Sequence, residues 1–313
     1  MFGHCYLDNK YCFWFYAFHM ALFFILHGYT TSLKTESYLI YVKKKIKSIL
    51  VPYVFFALAT ILIDYILAVT HGRTYSIIGV IMQYALQQRY TLLWYLICMF
   101  VADQIIYVLK RSNIDSKNRW LASSAGFFLL FFIYHYTIGV SLLWNIDLAL
   151  LAVSFMSFGV YMRQKIVFAE IKPKLLYIIV GLCAVWLTTS IINFIMYGFV
   201  DWYNNAFGNP LLFLCGAVGG SLFVMAASPY IDIRPFEIIG RDSMLFYGLH
   251  RIIIDLSFSL YGKLGIEIVE GSISSVAFAL VSVALAIAVL WPINWIIQRI
   301  CPWVVGRKVK TVG

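Results

Sequence analysis

The residues best able to do chemistry in this chain stand where keeping them is costly. Eight ionisable side chains, His19, His27, Asp64, Asp103, His135, His250, Arg251 and Asp255, fall inside long apolar runs, and His4 stands just ahead of the first run. An ionisable group at membrane depth is expensive unless it is paired or faces a cavity, so each is a candidate functional group. The competing reading is an interior group satisfied by its neighbours. Asp64, Asp103 and His135 stand alone in their runs and read first in that second way. Arg251 and Asp255 are four positions apart, on one helical face, and read equally as a structural pair or as a pair facing substrate. His4, His19 and His250 are different in depth: counted along their helices, all three fall toward the same outer level. Three imidazoles meeting there would make a proton-transfer site, because imidazole titrates near neutral pH. The spacing permits that meeting without requiring it.

A second cluster is the run Lys43-Lys44-Lys45-Ile46-Lys47, which precedes Pro52. Clustered ammonium groups retain a loop on one side of a membrane, and they also attract phosphates of a soluble cofactor. The chain contains no GxGxxG, P-loop or GxSxG element for nucleotide or esterase chemistry. Its six cysteines show no metal-ligand spacing, so no metal site is expected.

The elements that must position these groups follow from hydropathy. Hydrophobic residues make up 62% of the 313 and charged residues 12%, more apolar surface than a water-soluble domain hides. Nine runs are long enough to cross a bilayer, near 11–33, 48–69, 90–109, 120–139, 144–162, 175–198, 210–227, 237–261 and 272–297. They must be helices, since lipid cannot satisfy open backbone groups and no alternation of period two is present. The expected fold is an all-α polytopic transmembrane helical bundle over a single domain, 1–313. The glycines of Gly216-Ala217-Val218-Gly219-Gly220 mark either a close helix contact or a helix break.

The loops assign an orientation. Alternate loops carry Lys34, Lys43, Lys44, Lys45 and Lys47; Lys110, Arg111, Lys117 and Arg119; Arg163, Lys165, Lys172 and Lys174; Arg234 and Arg241; and Arg299, Arg307, Lys308 and Lys310. These are 19 of the 24 Lys and Arg. The positive-inside rule puts them in the cytoplasm, with the C-terminus inside, residue 1 extracytoplasmic and the protein multi-pass in the cell (inner) membrane. Topology and anionic lipid thus account for the net charge of +10, and nucleic acid is not implied.

Several segments together resemble one family. FHMALFFILHGY at 18–29 is similar to the FHMPLFFFLSGY signature of the integral-membrane acyltransferase family 3. The basic run with ILVPY at 49–53, and LWYL at 93–96, resemble its next elements. WNIDLA at 144–149, FGVY at 158–161 and NNAFGNP at 204–210 resemble the branch related to fucose 4-O-acetylase. IGRDSMLFYGLH at 239–250 resembles the family's late G-x-x-S-x-x-x-Y-x-x-H helix. Two positions depart from the pattern: Ala21 stands for the usual proline and His27 for the usual serine.

The resemblance implies a membrane O-acyltransferase, most often of acetyl groups. The acyl group would pass from cytosolic acetyl-CoA, a substrate and not a bound cofactor, to a hydroxyl of a cell-surface glycan or lipid-linked sugar. It implies His4 as general base, with His19, Tyr247 and His250 orienting the thioester or its oxyanion. Lys43, Lys44 and Lys47 would hold the phosphates of CoA, and Arg89 and Trp144, at the outer interface, would meet the sugar, although an aromatic belt is the safer reading there. It also implies one helix more than the nine counted here, placed before Gly3-His4, without which the chain is expected to be impaired. The rival reading is a transporter or flippase of a sugar or lipid-linked glycan, which intramembrane charges and a broken helix would also suit.

Overall fold

In the computed structural model, residues 1–34, 36–112, 117–164, 175–231, 233–269 and 271–306 are described. Lys165, Lys172, Pro173, Lys174, Arg307, Lys308 and Lys310 lie outside these residues. The chain forms helices α1 (Asn9–Tyr16), α2 (His19–Thr30), α3 (Tyr38–Lys45), α4 (Val51–Thr70), α5 (Ile77–Leu86), α6 (Trp94–Arg111) and α7 (Lys117–Thr137). There follow α8 (Ile146–Arg163), α9 (Leu175–Tyr197), α10 (Pro210–Ala227), α11 (Arg234–Arg241), α12 (Ser243–Lys263) and α13 (Ile273–Ile300). Among the described residues, extended pairing is limited to one bridge, Asp201 to Ala206. The fold is the expected all-α helical bundle. Six helical stretches are long and apolar enough to cross a membrane, and large apolar side chains such as Ile195 and Ile273 stand 75% and 85% exposed on the outside, where lipid would cover them.

Three of the sequence-read spans are built differently. The run at 11–33 is two helices, because the chain turns at Ala17 and Phe18. Phe18 buries its ring against Gly220, where an added Cβ would lie 2.6 Å from that ring. The turn places His19 at the first position of α2. The run at 48–69 starts earlier: α3 continues through a π-helical turn, Ile46–Leu50, into α4. Pro52 lacks the N–H an α-helix would use here, and the widened turn falls immediately before it. The run at 237–261 splits into α11 and α12 at Asp242, whose carboxylate accepts from Asn294 Nδ2 at 2.7 Å on α13. Helix α5, of 10 residues, is too short to cross a bilayer and is invisible to a search for spans.

Helix α8 is the axis of the bundle, with most of its length buried, and α2 lies against it. A Cβ on Gly28 would sit 2.0 Å from the carbonyl oxygen of Met156, and one on Gly159 would sit 2.0 Å from that of Ile25. Only glycine at both positions lets the backbones touch, the arrangement by which helices associate where no hydrophobic drive exists. In α10, Gly219 brings the helix against the backbone of α9 at Trp186 and Gly220 makes room for the Phe18 ring, and α10 runs unbroken from Pro210 to Ala227. Of the two readings of Gly216–Gly220, the close contact holds. The segment between α9 and α10 turns back into the bundle, burying Trp202 and Phe207 against Phe213 and, through Trp202, against Phe24 and Phe155.

Candidate active site

A cavity of about 880 Å³ opens at one end of the bundle. Its walls come from the start of α2 (His19, Met20), the far part of α4 (Thr60 to Ala68), the connections at 71–75, 91–93 and 201–203, the start of α6 (Trp94, Tyr95), and the face of α12 that carries Tyr247, Arg251 and Asp255. His4 lies on this wall too, in the 3₁₀ turn Phe2–His4.

Of the three histidines, His4 and His250 touch, and His4 and His19 share the cavity wall, which His250 does not border. The rings of His4 and His250 are 5.2 Å apart, and His19 borders the same cavity, its ring stacked 4.5 Å from Phe15 and edge-on 4.9 Å from Tyr16. Tyr16 links the two sides, since its hydroxyl donates to Gly3 O at 2.7 Å, next to His4. Carbonyl oxygens only accept, which fixes two tautomers. His19 donates from Nδ1 to Phe15 O at 3.1 Å, and His250 from Nδ1 to Phe246 O and Tyr247 O, both at 2.9 Å. Each ring therefore keeps Nε2 as an acceptor. His250 Nε2 is buried with no partner among the described residues. His4 sits at the end of the bundle ahead of the first span. Burial, reinforced by His250, His19 and Arg251, holds its pKa well below the ordinary imidazole value. The ring is neutral at pH 7 and available as a base. Tyr247 borders the cavity with its ring 5.6 Å from Tyr95, and its hydroxyl donates to Leu92 O.

The rest of the wall mixes carboxylates, arginines and aromatic rings. Asp64 faces the cavity and has no hydrogen-bond or ion-pair partner among the described residues, so it is not the satisfied interior group its isolated position suggested. Its place near the far end of α4 was the available clue. Asp201 and Tyr203, from the turned-back segment, and Arg73 and Tyr75 complete the rim. Nothing in the sequence spacing brings Asp201 and Tyr203 to this wall; the backward turn at Trp202 does.

The other end of α2 holds the basic run. Lys43, Lys44 and Lys47 are exposed, Lys44 pairing with Glu36. Lys45 turns inward instead, 2.8 Å from Asp103 Oδ2. His27 Nε2 is 3.0 Å from Asp103 Oδ1, and Tyr41 donates to the same oxygen at 3.1 Å. The lone Asp103 is thus a satisfied interior group. Lys110 and Arg163 donate to the carbonyls of Ser32 and Thr31 just beyond α2, so basic side chains from three loops gather at this end.

Arg89 and Trp144 are not brought to the cavity. The guanidinium of Arg89 is buried against Asp147, and Asn145 accepts from the Arg89 backbone N–H at 3.0 Å. Trp144 donates its indole N–H to Ala85 O at 3.0 Å. Neither borders the cavity wall. Among the described residues no cluster of side chains could hold a metal ion.

A family profile described as an acyltransferase domain matches residues 6–295. No curated protein and no solved structure matches the chain.

Proposed function

Because this chain belongs to acyltransferase family 3, we propose that it moves an acyl group, acetyl in the simplest case, from a cytosolic acyl-CoA to a hydroxyl of a cell-surface glycan or lipid-linked sugar. The observation that carries this reading is the cavity at the end of α2 away from the lysine run, bordered by His4 and His19, with the His250 ring 5.2 Å from that of His4. The donor's phosphates dock on Lys43, Lys44 and Lys47, where exposed ammonium groups face the cytosol. Its thioester reaches the histidines along α2, where His19 and His27 are separated by about 12 Å. The acceptor enters from the outside, among Asp64, Asp201, Tyr75 and Tyr203, where carboxylates can accept from sugar hydroxyls and rings can pack on sugar faces.

In the reaction, His4 takes the proton of the acceptor hydroxyl as its oxygen attacks the thioester carbonyl. The tetrahedral intermediate collapses, the C–S bond breaks, and the proton passes from His4 to the departing CoA thiolate. Ester and free thiol are the products. A positioned base contributes roughly 10²–10⁴-fold. His250, its ring 5.2 Å from that of His4, would orient the base. His19 and Tyr247 flank the carbonyl.

Calorimetric titration of acetyl-CoA into the purified protein tests the donor half. Wild type should bind, and Lys43→Ala/Lys44→Ala/Lys47→Ala should bind roughly tenfold more weakly, since exposed charge contacts contribute a few tenths to one kcal/mol each. Equal binding by both would remove the lysines from the donor site; no binding by either would remove acyl-CoA.

A further inference from the structure

We propose that Tyr6 is a positioning residue for His4, acting through Arg251 and Asp255; this rests on His4 being the base. The Tyr6 hydroxyl donates to Asp255 Oδ1 at 2.8 Å and accepts from Arg251 Nη2 at 2.6 Å. Arg251 also donates from Nε to Asp255 Oδ2 at 2.9 Å, and its guanidinium lies 4.8 Å from the centre of the Tyr6 ring. One phenol is therefore bound by charge-assisted hydrogen bonds to both members of the ion pair, stronger than neutral ones. Arg251 follows His250 directly along α12 and Asp255 lies one turn further, so the clasp joins the chain two residues after His4 to the helix carrying the ring that His4 faces.

The backbone carries the mark of this attachment. Tyr6 has φ of 53°, the left-handed region that a bulky residue adopts only when its surroundings hold it there. On the preceding side the segment is pinned by Cys5, whose thiol lies 3.7 Å from Ala279 O on α13, and by the Tyr16 hydroxyl on Gly3 O. The Cys5 and Tyr16 contacts alone would leave the segment tied to α13 and α1; the clasp ties it to α12, the helix of His250. Tyr6 itself does not border the cavity, while Arg251 and Asp255 do. A change at Tyr6 thus disturbs the placement of His4 without removing a group that could touch substrate.

The test is Tyr6→Phe in the full chain, reconstituted in lipid vesicles. Tyr6 is half-exposed, so loss of one oxygen leaves the fold and the Arg251–Asp255 pair in place. The expected result is a kcat about tenfold lower, in line with the sensitivity of catalysis to small displacements of a reacting group. KM for donor and acceptor and the unfolding midpoint should stay those of wild type. A second readout needs no activity: the rate at which diethyl pyrocarbonate modifies His4, followed by peptide mass spectrometry, should change several-fold in the variant. A wild-type labelling rate in Tyr6→Phe overturns the proposal, whatever happens to kcat. Should wild type transfer no acyl group while the labelling rate still changes, the proposed function falls and the positioning of His4 by Tyr6 stands.

Discussion

The two ends of α2 hold ionisable groups in opposite ways. At one end Asp103 is wholly buried and paired: His27, Tyr41 and Lys45 converge on its carboxylate from two other helices, and it does not border the cavity. At the other end His250 Nε2 is left without a partner among the described residues, and His4 and Asp64 face an open cavity. An intramembrane charge that is fully paired holds helices together; one whose hydrogen-bonding capacity is left open beside a cavity is available to a ligand. On α2 itself, His27 joins the paired end and His19, about 12 Å away, borders the open one.

That contrast can be broken by substitution, and the largest effect belongs to the open end. His4→Ala should lower acyl transfer roughly 10²–10⁴-fold with the unfolding midpoint unchanged, measured by thiol release in reconstituted vesicles. Asp103→Ala should do the reverse, costing about 3–5 kcal/mol of stability by leaving Lys45 buried without its counter-charge, read by thermal unfolding in detergent. If Asp103→Ala spared stability and removed activity, the division between the two ends would fail. Gly28→Ala, which sets a methyl group against the Met156 carbonyl, should cost about 1–3 kcal/mol by forcing α2 from α8. The pH profile gives the smallest and most specific effect. With the pKa of His4 held down by burial, kcat/KM should persist below the ordinary imidazole value of about 6.5 and fall only at lower pH, where the ring takes up a proton. An acid limb at or above that value would show that the titrating group is not a buried His4.

Much of this was legible in the residues themselves. Hydropathy alone requires the helices, and the depth of His19 and His250 along their runs points to one level. What sequence could not supply was direction around each helix. Lys45 is chemically identical to Lys43, Lys44 and Lys47, yet it alone turns inward, because Asp103 and His27 wait on that side. Asp64 and Asp103 look alike as single acids in apolar runs, and only the packing of α4 at the cavity and of α6 against α3 separates them. Arg89 looked like a group at the outer interface, but Asp147, 58 residues away, closes over it. The segment carrying Asp201, Trp202 and Tyr203 reads as a connection, and its backward turn depends on a pocket made by Phe24, Phe155 and Phe213, which no local pattern reports.

The most direct test of the central claim is transfer of isotopically labelled acetyl from acetyl-CoA, supplied on the lysine-rich side of vesicles, to a polysaccharide acceptor on the other side. The account predicts label in the acceptor with wild type and with Lys45→Arg, which keeps the charge facing Asp103, and almost none with His4→Ala. Transfer by His4→Ala at the wild-type rate would contradict it.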